Sequence, residues 1–320
     1  MTPINKNKIR TTAIGLLAAL CTCILPGCIE DDLSECGVGI RFRYVKNVEG
    51  VDKFPSDVDR ISLYVFREDG IFIGEYHDGG SRLDGNYTMN LGLKEGNYKL
   101  VAWGNLCDDY EVTPCVPGQT RLEDFMLKLK NTRDTVYAHP GHLFYGGVEE
   151  VEIKTPYTGR KYVTMDLTKN TNTIHVITSG LPLGENTSGN GDAGTPYTCR
   201  IISRNGEYNH DNSITGNRLH YIPDGTVEGG LFLSDYVVMR ELNDASITGP
   251  RLVITHHPVD GGSKVLLDTS LTELLLRVSI TGDLDIDDEF TLHVEFDYTN
   301  GSMTILINDY EVVGGGAIIG

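Results

Sequence analysis

Short runs in which apolar and polar residues alternate recur along most of this sequence, separated by turn-forming residues. In Arg60–Phe66, for example, Ile61, Leu63 and Val65 fall on one side of an extended chain. This period of two is typical of β-strands, because successive side chains of a strand point to opposite faces. The runs follow one another every ~8–15 residues, which is too close for the helical crossovers of a parallel sheet. The pattern predicts an all-β fold built from sandwiches.

Strand boundaries follow from this alternation and from the turns between the runs. Turn residues predict hairpins at residues 68–70, 94–96 and 299–302. The predicted strands are Gly39–Val45, Arg60–Phe66, Gly70–Tyr76, Tyr87–Leu93, Asn97–Trp103, Gly146–Lys154, Lys161–Leu167, Thr173–Ser179, Cys199–Arg204, Gly230–Met239, Arg251–His256, Lys264–Leu267, Glu273–Ile280, Phe290–Tyr298 and Met303–Ile307.

One segment, Thr120–Asn131, is predicted to be a short helix. Thr120 and Glu123 match a capping box, in which each side chain satisfies a backbone N–H of the first helical turn. Four residues at helical spacing would form one apolar stripe: Leu122, Phe125, Met126 and Leu129.

The chain is long enough for two domains. Its 320 residues compare with roughly 100–200 residues for a typical domain. The polar run Lys169–Thr173 separates two sets of predicted strands. We therefore predict two sandwich domains in tandem, residues 36–170 and residues 171–320.

The N-terminus has the pattern of a cleaved export signal. Lys6, Lys8 and Arg10 precede an apolar run at residues 13–25, which is too short to span a bilayer as a helix. The run ends at Leu25-Pro26-Gly27-Cys28, which resembles a bacterial lipobox. We predict that residues 1–27 are removed and that Cys28 carries the lipid. An ordinary secretory peptide with a chance cysteine is the alternative.

Acidic residues dominate the rest of the chain. The whole sequence has 27 Lys and Arg against 45 Asp and Glu, a formal charge of −18. This balance argues against binding to nucleic acid or to anionic lipid, both of which need clustered Lys and Arg. Residues 28–35 form a predicted tether, in which Glu30, Asp31 and Asp32 resemble the signal that sends some lipoproteins to the outer face of the outer membrane. A solvated linker is the alternative.

Four cysteines remain beyond Cys28, namely Cys36, Cys107, Cys115 and Cys199. In an oxidising compartment these residues predict disulfide bonds. Four cysteines allow three connectivities, and the sequence leaves all three open. Metal binding is disfavoured because no pair has Cys-x-x-Cys spacing.

The other candidates for chemistry are weak. His139, His142 and the pair His256 and His257 lack the partners that a zinc site needs, and we expect them in loops or at strand ends. Trp103 is expected in the core rather than on a sugar-binding surface. Four aspartates approach the spacing of a Ca²⁺ loop but lack its glycine and terminal Glu, so a solvated strand end is expected: Asp283, Asp285, Asp287 and Asp288. We predict no enzyme, no cofactor, no metal and no small-molecule substrate.

Six stretches distributed over most of the chain carry a family resemblance. They are Cys28–Cys36, Ile40–Tyr44, Ile61–Phe66, Gly70–Ile73, Gly96–Asn105 and Ile305–Val312. Together they resemble the FimB-type family of fimbrial anchor and accessory lipoproteins of type V pili. The resemblance implies two transthyretin-like β-sandwich domains, palmitate-type acylation in the outer membrane, exposure at the cell surface and fimbrial subunits as partners. It leaves an anchor, a tip and an accessory position open.

The C-terminal stretch Met303–Val313 suggests how a fimbria would be held. Its residues alternate, and an open sheet edge can accept a strand from another chain. We therefore predict β-strand addition at or beside this edge, with four candidate residues: Ile305, Ile307, Asn308 and Tyr310. The alternative is that this strand only completes the second sandwich. For the whole chain, the rival functions are a glycan-binding surface lipoprotein of a polysaccharide-utilisation system and a secreted hydrolase.

Overall fold

The computed structural model describes residues 37–137, 139–154, 160–183, 195–223, 225–240, 242, 248–258, 261–297, 302–307 and 310–313. The predicted leader and tether, with Cys28, Glu30, Asp31, Asp32 and Cys36, lie outside these residues, as does Asn308. None of the helices in the described ranges combines the length and the apolar character that crossing a bilayer requires.

The described part of the first half contains ten strands, one α-helix and two 3₁₀ turns. They are β1 (Gly37–Arg43), α1 (Phe54–Asp57), β2 (Arg60–Arg67), β3 (Phe72–Gly79), a 3₁₀ turn (Gly80–Arg82), β4 (Met89–Leu91), β5 (Gly96–Gly104), β6 (Tyr110–Val112), a 3₁₀ turn (Leu122–Asp124), β7 (Met126–Leu129), β8 (Thr135–Val136), β9 (Phe144–Ile153) and β10 (Arg160–Lys169).

The described part of the second half contains twelve strands and one α-helix. They are β11 (Thr171–Ser179), β12 (Tyr197–Ser203), β13 (Glu207–Asn209), β14 (Ile214–Thr215), β15 (Leu219–Tyr221), β16 (Thr226–Glu228), β17 (Leu231–Met239), β18 (Arg251–His256), β19 (Lys264–Ser270), α2 (Leu271–Leu276), β20 (Glu289–Asp297), β21 (Ser302–Ile307) and β22 (Tyr310–Val313). The all-β fold class is confirmed.

The first sandwich consists of one continuous sheet whose two parts form the two layers, and β10 belongs to both parts. Residues 160–166 of β10 pair in parallel with β1, whereas residues 167–169 pair antiparallel with β9. The strand order β3-β2-β5-β9-β10-β1-β4 therefore has two parts whose apolar side chains meet in one core. Buried residues of this core come from both parts: Val38, Ile40, Leu63, Val65, Leu100, Ala102, Met165 and Leu167.

The predicted hairpin between β2 and β3 is confirmed, with Arg60 opposite Gly79. Gly70 in its turn has φ of +82°, a conformation that glycine adopts without a steric penalty. The hairpin predicted from Tyr87–Leu93 and Asn97–Trp103 is wrong. Only β4 forms in the first of these segments, and it pairs with β1, because β5 already has β2 and β9 on its two sides.

The outer face of β2 and β5 is buried as well, under residues that the sequence assigned to a helix. Phe125 places its ring 4.6 Å from that of Tyr64 and 5.6 Å from that of Phe66. Trp103 on β5 is fully buried beside Tyr145, as expected for a core residue. β2 is therefore buried on both faces over six consecutive residues, which is the pattern of a strand in a middle layer.

The helix predicted over Thr120–Asn131 is wrong. The segment makes one 3₁₀ turn and continues as β7, in which Leu127 and Leu129 are buried and Lys128 is exposed. The hydroxyl of Thr120 accepts a hydrogen bond from Val116 N–H at 2.8 Å instead of capping a helix. Strand pairing of β7 with β6 and β13 supplies the backbone hydrogen bonds that a helix would have made.

In the second sandwich, a six-stranded sheet packs against a five-stranded sheet. Their orders are β16-β17-β11-β20-β21-β22 and β19-β18-β12-β15-β8. Side chains from both sheets share one core: Ile174, Val176, Tyr197, Ile201, Phe232, Leu252, Ile254, Phe290, Leu292 and Val294. The predicted pairing of Phe290–Tyr298 with Met303–Ile307 is confirmed as β20 and β21.

The strand predicted over Glu273–Ile280 is wrong, because helix α2 occupies residues 271–276. Ser270 caps it by accepting a hydrogen bond from Glu273 N–H at 3.3 Å. Leu271, Leu274 and Leu275 are buried, which is the spacing of one helical face.

The predicted boundary at residues 170 and 171 coincides with the connection from β10 to β11, yet two sheets cross it. β7 pairs with β13, and β8 pairs in parallel with β15. The segment from Tyr110 to Val136 thus lies in the first half of the sequence, but its strands β7 and β8 pair with strands of the second half.

Candidate functional site

The C-terminal strands end the six-stranded sheet, where the sequence predicted a contact surface. Ile305 lies opposite Val294 on one side and Val313 on the other, and Ile307 lies between Leu292 and Tyr310. Both isoleucines are therefore on an inner strand, β21. Tyr310 is on β22, which is the last strand of this sheet among the described residues.

The sheet has two edge strands of different character. β16 is three residues long and all three are exposed, whereas β22 follows a register shift between Ile305 and Leu306. An edge strand leaves every second N–H and C=O group without a partner in its own sheet, so it can pair with an added strand. β20, the second strand inward from β22, is anchored in the core, because its Phe290, Leu292 and Val294 are buried.

The connection from β10 to β11 was expected to be a polar seam, but its side chains are buried. Asn170 and Asn212 exchange two amide hydrogen bonds, at 2.5 and 2.9 Å. Asn205 donates to the carbonyl of Met239 at 2.6 Å and accepts from the Tyr221 hydroxyl at 2.8 Å. The sequence analysis did not predict these buried amides. The polar run Lys169–Thr173, within an otherwise alternating chain, was the only sequence feature that pointed to them.

Charged pairs surround these buried amides. Lys169 Nζ lies 2.6 Å from Asp288 Oδ2, and Arg240 Nε lies 2.6 Å from Asp285 Oδ2. Lys46 in the first half is 3.8 Å from Asp283 in the second. The Lys169 and Lys46 pairs, like the amide pair, join the two halves across the boundary, whereas Arg240 and Asp285 both belong to the second half.

The aspartates between residues 283 and 288 are not the solvated strand end that was expected. Asp285 and Asp287 are buried. Asp287 Oδ2 accepts hydrogen bonds from Ile280 N–H at 2.8 Å and Thr281 N–H at 3.1 Å, and from the Ser279 hydroxyl. These carboxylates shape the loop that follows α2. Within the described residues, no group of three or more His, Cys, Asp or Glu is placed to hold a metal ion.

The four histidines singled out in the sequence, His139, His142, His256 and His257, lie in loops or at a strand end, as predicted. His142 Nδ1 is 3.0 Å from the Thr171 hydroxyl. Partial burial, together with nearby Lys169, lowers the pKa of His142. His256 stacks on Tyr197 with ring centroids 4.8 Å apart, and His257 lies 3.0 Å from the Thr198 hydroxyl.

Among the described residues, no disulfide is formed by Cys107, Cys115 or Cys199. Cys107 Sγ donates to Asp109 at 3.2 Å, and Cys115 Sγ donates to the Thr113 carbonyl at 3.3 Å. Cys199 points into the second core. Burial raises the pKa of Cys107, and raises that of Cys115 to about 11, which disfavours the reactive thiolate. Of the disulfides predicted among Cys36, Cys107, Cys115 and Cys199, none forms at the three described positions.

Known proteins with a similar sequence identify the family of this chain. The model of the family "Fimbrillin-A associated anchor proteins Mfa1 and Mfa2" matches residues 33–314. The minor fimbrium anchoring subunit Mfa2 of Porphyromonas gingivalis is 25% identical over 205 residues, 62% of this chain and 60% of Mfa2. This chain thus spans less than two thirds of that relative's length.

Two further comparisons agree. The major fimbrium anchoring subunit FimB of Porphyromonas gingivalis is 25% identical over 241 residues, 72% of this chain and 76% of FimB. The solved structure of the fimbrial anchor protein Mfa2 from the same species shares the fold, with a TM-score of 0.69 at 22% identity over 86% of this chain and 98% of that one. Since the family model covers most of the sequence, this chain belongs to the Mfa2 family of fimbrial anchor proteins.

Proposed function

We propose that this protein is a surface lipoprotein of the outer membrane that anchors a fimbria or forms an accessory part of it. The observation that carries the proposal is the family match over residues 33–314, together with relatives named as anchoring subunits. Cys28 would carry the lipid, and Glu30, Asp31 and Asp32 would direct export to the cell surface. Residues 36–170 would adjoin the tether, and residues 171–320 would carry the fimbrial contact.

Strand pairing between the two halves would help an anchor to resist the pulling force on a fimbria. A pull between a lipid at the N-terminus and a partner on the C-terminal sheet passes through the β7–β13 and β8–β15 pairings and the buried Asn170–Asn212 pair. Sheets and buried amides resist such a load without any chemical step. This proposal needs no catalytic residue.

Membrane attachment is tested with Cys28→Ala. Stable anchoring requires more than one acyl chain, so loss of the lipid site should move the protein from the membrane to the soluble fraction and release fimbriae into the medium. Radiolabelled fatty acid should enter the wild type and not the variant. Equal labelling of the two proteins would refute lipidation at Cys28.

The fimbrial contact is proposed at the edge formed by β22, through addition of a strand from a fimbrial subunit. Tyr310→Cys or Asn308→Cys should cross-link to that subunit in intact cells. Val227→Cys, on the opposite edge strand β16 and 43% exposed in the native chain, is the matched control. Capture from Val227 and not from the C-terminal positions would move the contact to the other edge.

Glycan binding remains the alternative, because a solved structure from Bacteroides thetaiotaomicron described as a putative polysaccharide binding protein is similar to this chain, with a TM-score of 0.72 at 26% identity over 87% of this chain and 98% of that one. The usual platform for a glycan is a set of exposed aromatic side chains, but Trp103 is fully buried. The exposed Tyr137 and Tyr162 lie on different elements, after β8 and on β10.

A further inference from the structure

A groove runs between the two halves beside the β10–β11 connection. It has a volume of about 360 Å³. The loop between β1 and α1 forms one wall, and residues 278–290 form the other. Two side chains on these walls are apolar yet exposed: Val48 at 49% and Ile280 at 83%. A Val and an Ile this accessible on facing walls are a favourable place for an apolar side chain from another molecule.

Carboxylates dominate the charge of the groove. Five line it against two lysines, Lys53 and Lys169: Glu49, Asp57, Asp287, Asp288 and Glu289. Each lysine is already neutralised, Lys53 by Glu49 at 2.7 Å and Lys169 by Asp288 at 2.6 Å.

Two of the carboxylates are left to face an incoming charge. Among the described residues, Asp57 and Glu289 have no Lys or Arg partner within ion-pair distance. Glu289 Oε1 lies 3.9 Å from His175 Nε2, which is charged only when protonated, and the Glu289 side chain is 74% exposed. Asp287 also has no Lys or Arg partner, but it is buried. Tyr44 also lines the groove. Burial raises the pKa of Tyr44, and the negative charges of Asp288 and Asp57 raise it further. An occupant of the groove must therefore carry positive charge next to an apolar group.

This charge argument excludes the other occupants that the chain could supply. Residues 29–35 of the tether have four acidic residues and no Lys or Arg, and the segment 314–320 has no charged side chain. A second copy carries a formal charge of −18, so electrostatic repulsion opposes self-association at this surface.

The groove is also continuous with the proposed edge contact. Glu289 and Phe290 begin β20, whose Leu292 lies opposite Ile307, so the groove adjoins the end of the sheet where β21 turns into β22. β22 lies two strands from β20, which is about 10 Å at the usual strand spacing. One extended segment is long enough to reach both.

We propose that this groove is a second docking site for the fimbrial partner, which would insert an apolar side chain flanked by Lys or Arg. The proposal rests on the proposed fimbrial function for the identity of the partner. The site would fix the orientation of the partner, while strand addition at β22 would supply the main-chain hydrogen bonds.

The test measures binding of a labelled peptide, Lys-Val-Lys-Val-Lys-Val-Lys, to the purified full chain by fluorescence anisotropy at about 0.15 M salt, where longer-range attraction is screened. The same peptide with Glu in place of Lys should not bind. Ile280→Ser removes the more exposed of the two apolar side chains, and the double variant Asp57→Asn with Glu289→Gln removes two carboxylate charges from the groove. Each should weaken binding by about fivefold or more.

Matched controls remove the same groups elsewhere. Val265→Ser acts on the exposed edge strand β19, where Val265 is 56% exposed. Glu111→Gln with Glu228→Gln removes two exposed charges from β6 and β16. All controls should stay within about twofold of the wild type. Equal weakening in the controls, or no difference for the groove variants, would overturn the proposal, as would a gain in binding when residues 314–320 are deleted.

A second readout separates this proposal from the proposed function. In cells, Ile280→Ser should shed fimbriae while its own abundance is unchanged, and Val265→Ser should retain them. If deleting the whole gene leaves fimbriae attached, the fimbrial function fails whatever the peptide result. If deletion releases fimbriae but Ile280→Ser does not, the function stands and the groove does not contribute to it.

Discussion

The two apolar cores of this protein are assembled from different parts of the chain. The core of the first sandwich draws only on residues between Val38 and Leu167. The second core extends from Tyr64 to Phe296 and includes β6, β7 and β8 together with the outer face of β2 and β5. The first half thus completes its own core, whereas the second half depends on strands and a sheet face that the first half supplies.

This asymmetry predicts that the two halves unfold together when the shared layer is damaged. A tandem of independent domains would respond to a mutation only in the domain that carries it. Mutations in the shared layer, at the β10–β11 connection and at exposed positions distinguish these two responses.

Phe125→Ala should have the largest effect. The ring is fully buried between the first-half strands and the second core, so its loss should lower the free energy of unfolding by about 3–5 kcal/mol. Denaturant unfolding followed by Trp103 fluorescence and by circular dichroism should shift as one transition. Tyr137→Ala, at an exposed position, should change stability by less than about 0.5 kcal/mol. Two separate transitions in Phe125→Ala, with only one shifted, would contradict the shared layer.

Asn170→Ala tests the buried amide pair at the β10–β11 connection rather than the apolar core. Its removal leaves the Asn212 amide buried without its partner, which should cost about 1–3 kcal/mol. The measurement is the midpoint of chemical unfolding, compared with Asn90→Ala on the exposed side of β4. Equal changes in the two variants would mean that the amide pair contributes nothing specific.

His142 at the boundary should make stability depend modestly on pH. Its pKa in the folded state lies below the usual value near 6.5, so the unfolded chain binds a proton more readily. Folding is therefore weakened as the pH falls through about 6.5, and the contribution is constant above that range. His142→Gln should flatten this part of a stability curve measured between pH 5 and 8. An unchanged curve would assign the pH dependence to other groups, such as His220 and His257, whose pKa values are lowered in the same direction.

The cysteines give the smallest effect, a difference in labelling rate. Cys199 in the second core should resist iodoacetamide until the protein unfolds, because only 1% of its surface is exposed. Cys107 and Cys115 are partly accessible and should react slowly at pH 8, because their raised pKa values leave little thiolate. Mass spectrometry of the unreduced protein checks both statements. A disulfide at any of the three positions would contradict the free-thiol arrangement.

Two capping-box motifs in this chain show where local reasoning succeeds and where it fails. Thr120 and Glu123 match the motif, yet a strand follows because Leu127 and Leu129 are buried at alternate positions between β6 and β13. Ser270 and Glu273 match it too, and there a helix forms because Leu271, Leu274 and Leu275 share one buried face. The motif was the signal that could have identified α2, although the segment from Glu273 onward was predicted as a strand.

The amino-acid sequence by itself determined the strands of six residues or more, because the alternation of side chains is a local property that a long strand carries in its own residues. It also determined the family, through motifs spread along the chain. Only the tertiary structure decided which strands pair, that β2 lies in a middle layer, and that Asn170 and Asp287 are buried. Those outcomes depend on contacts between distant segments, such as Leu127 with Tyr208 across β7 and β13, and a local pattern is the same whichever partner a strand finds.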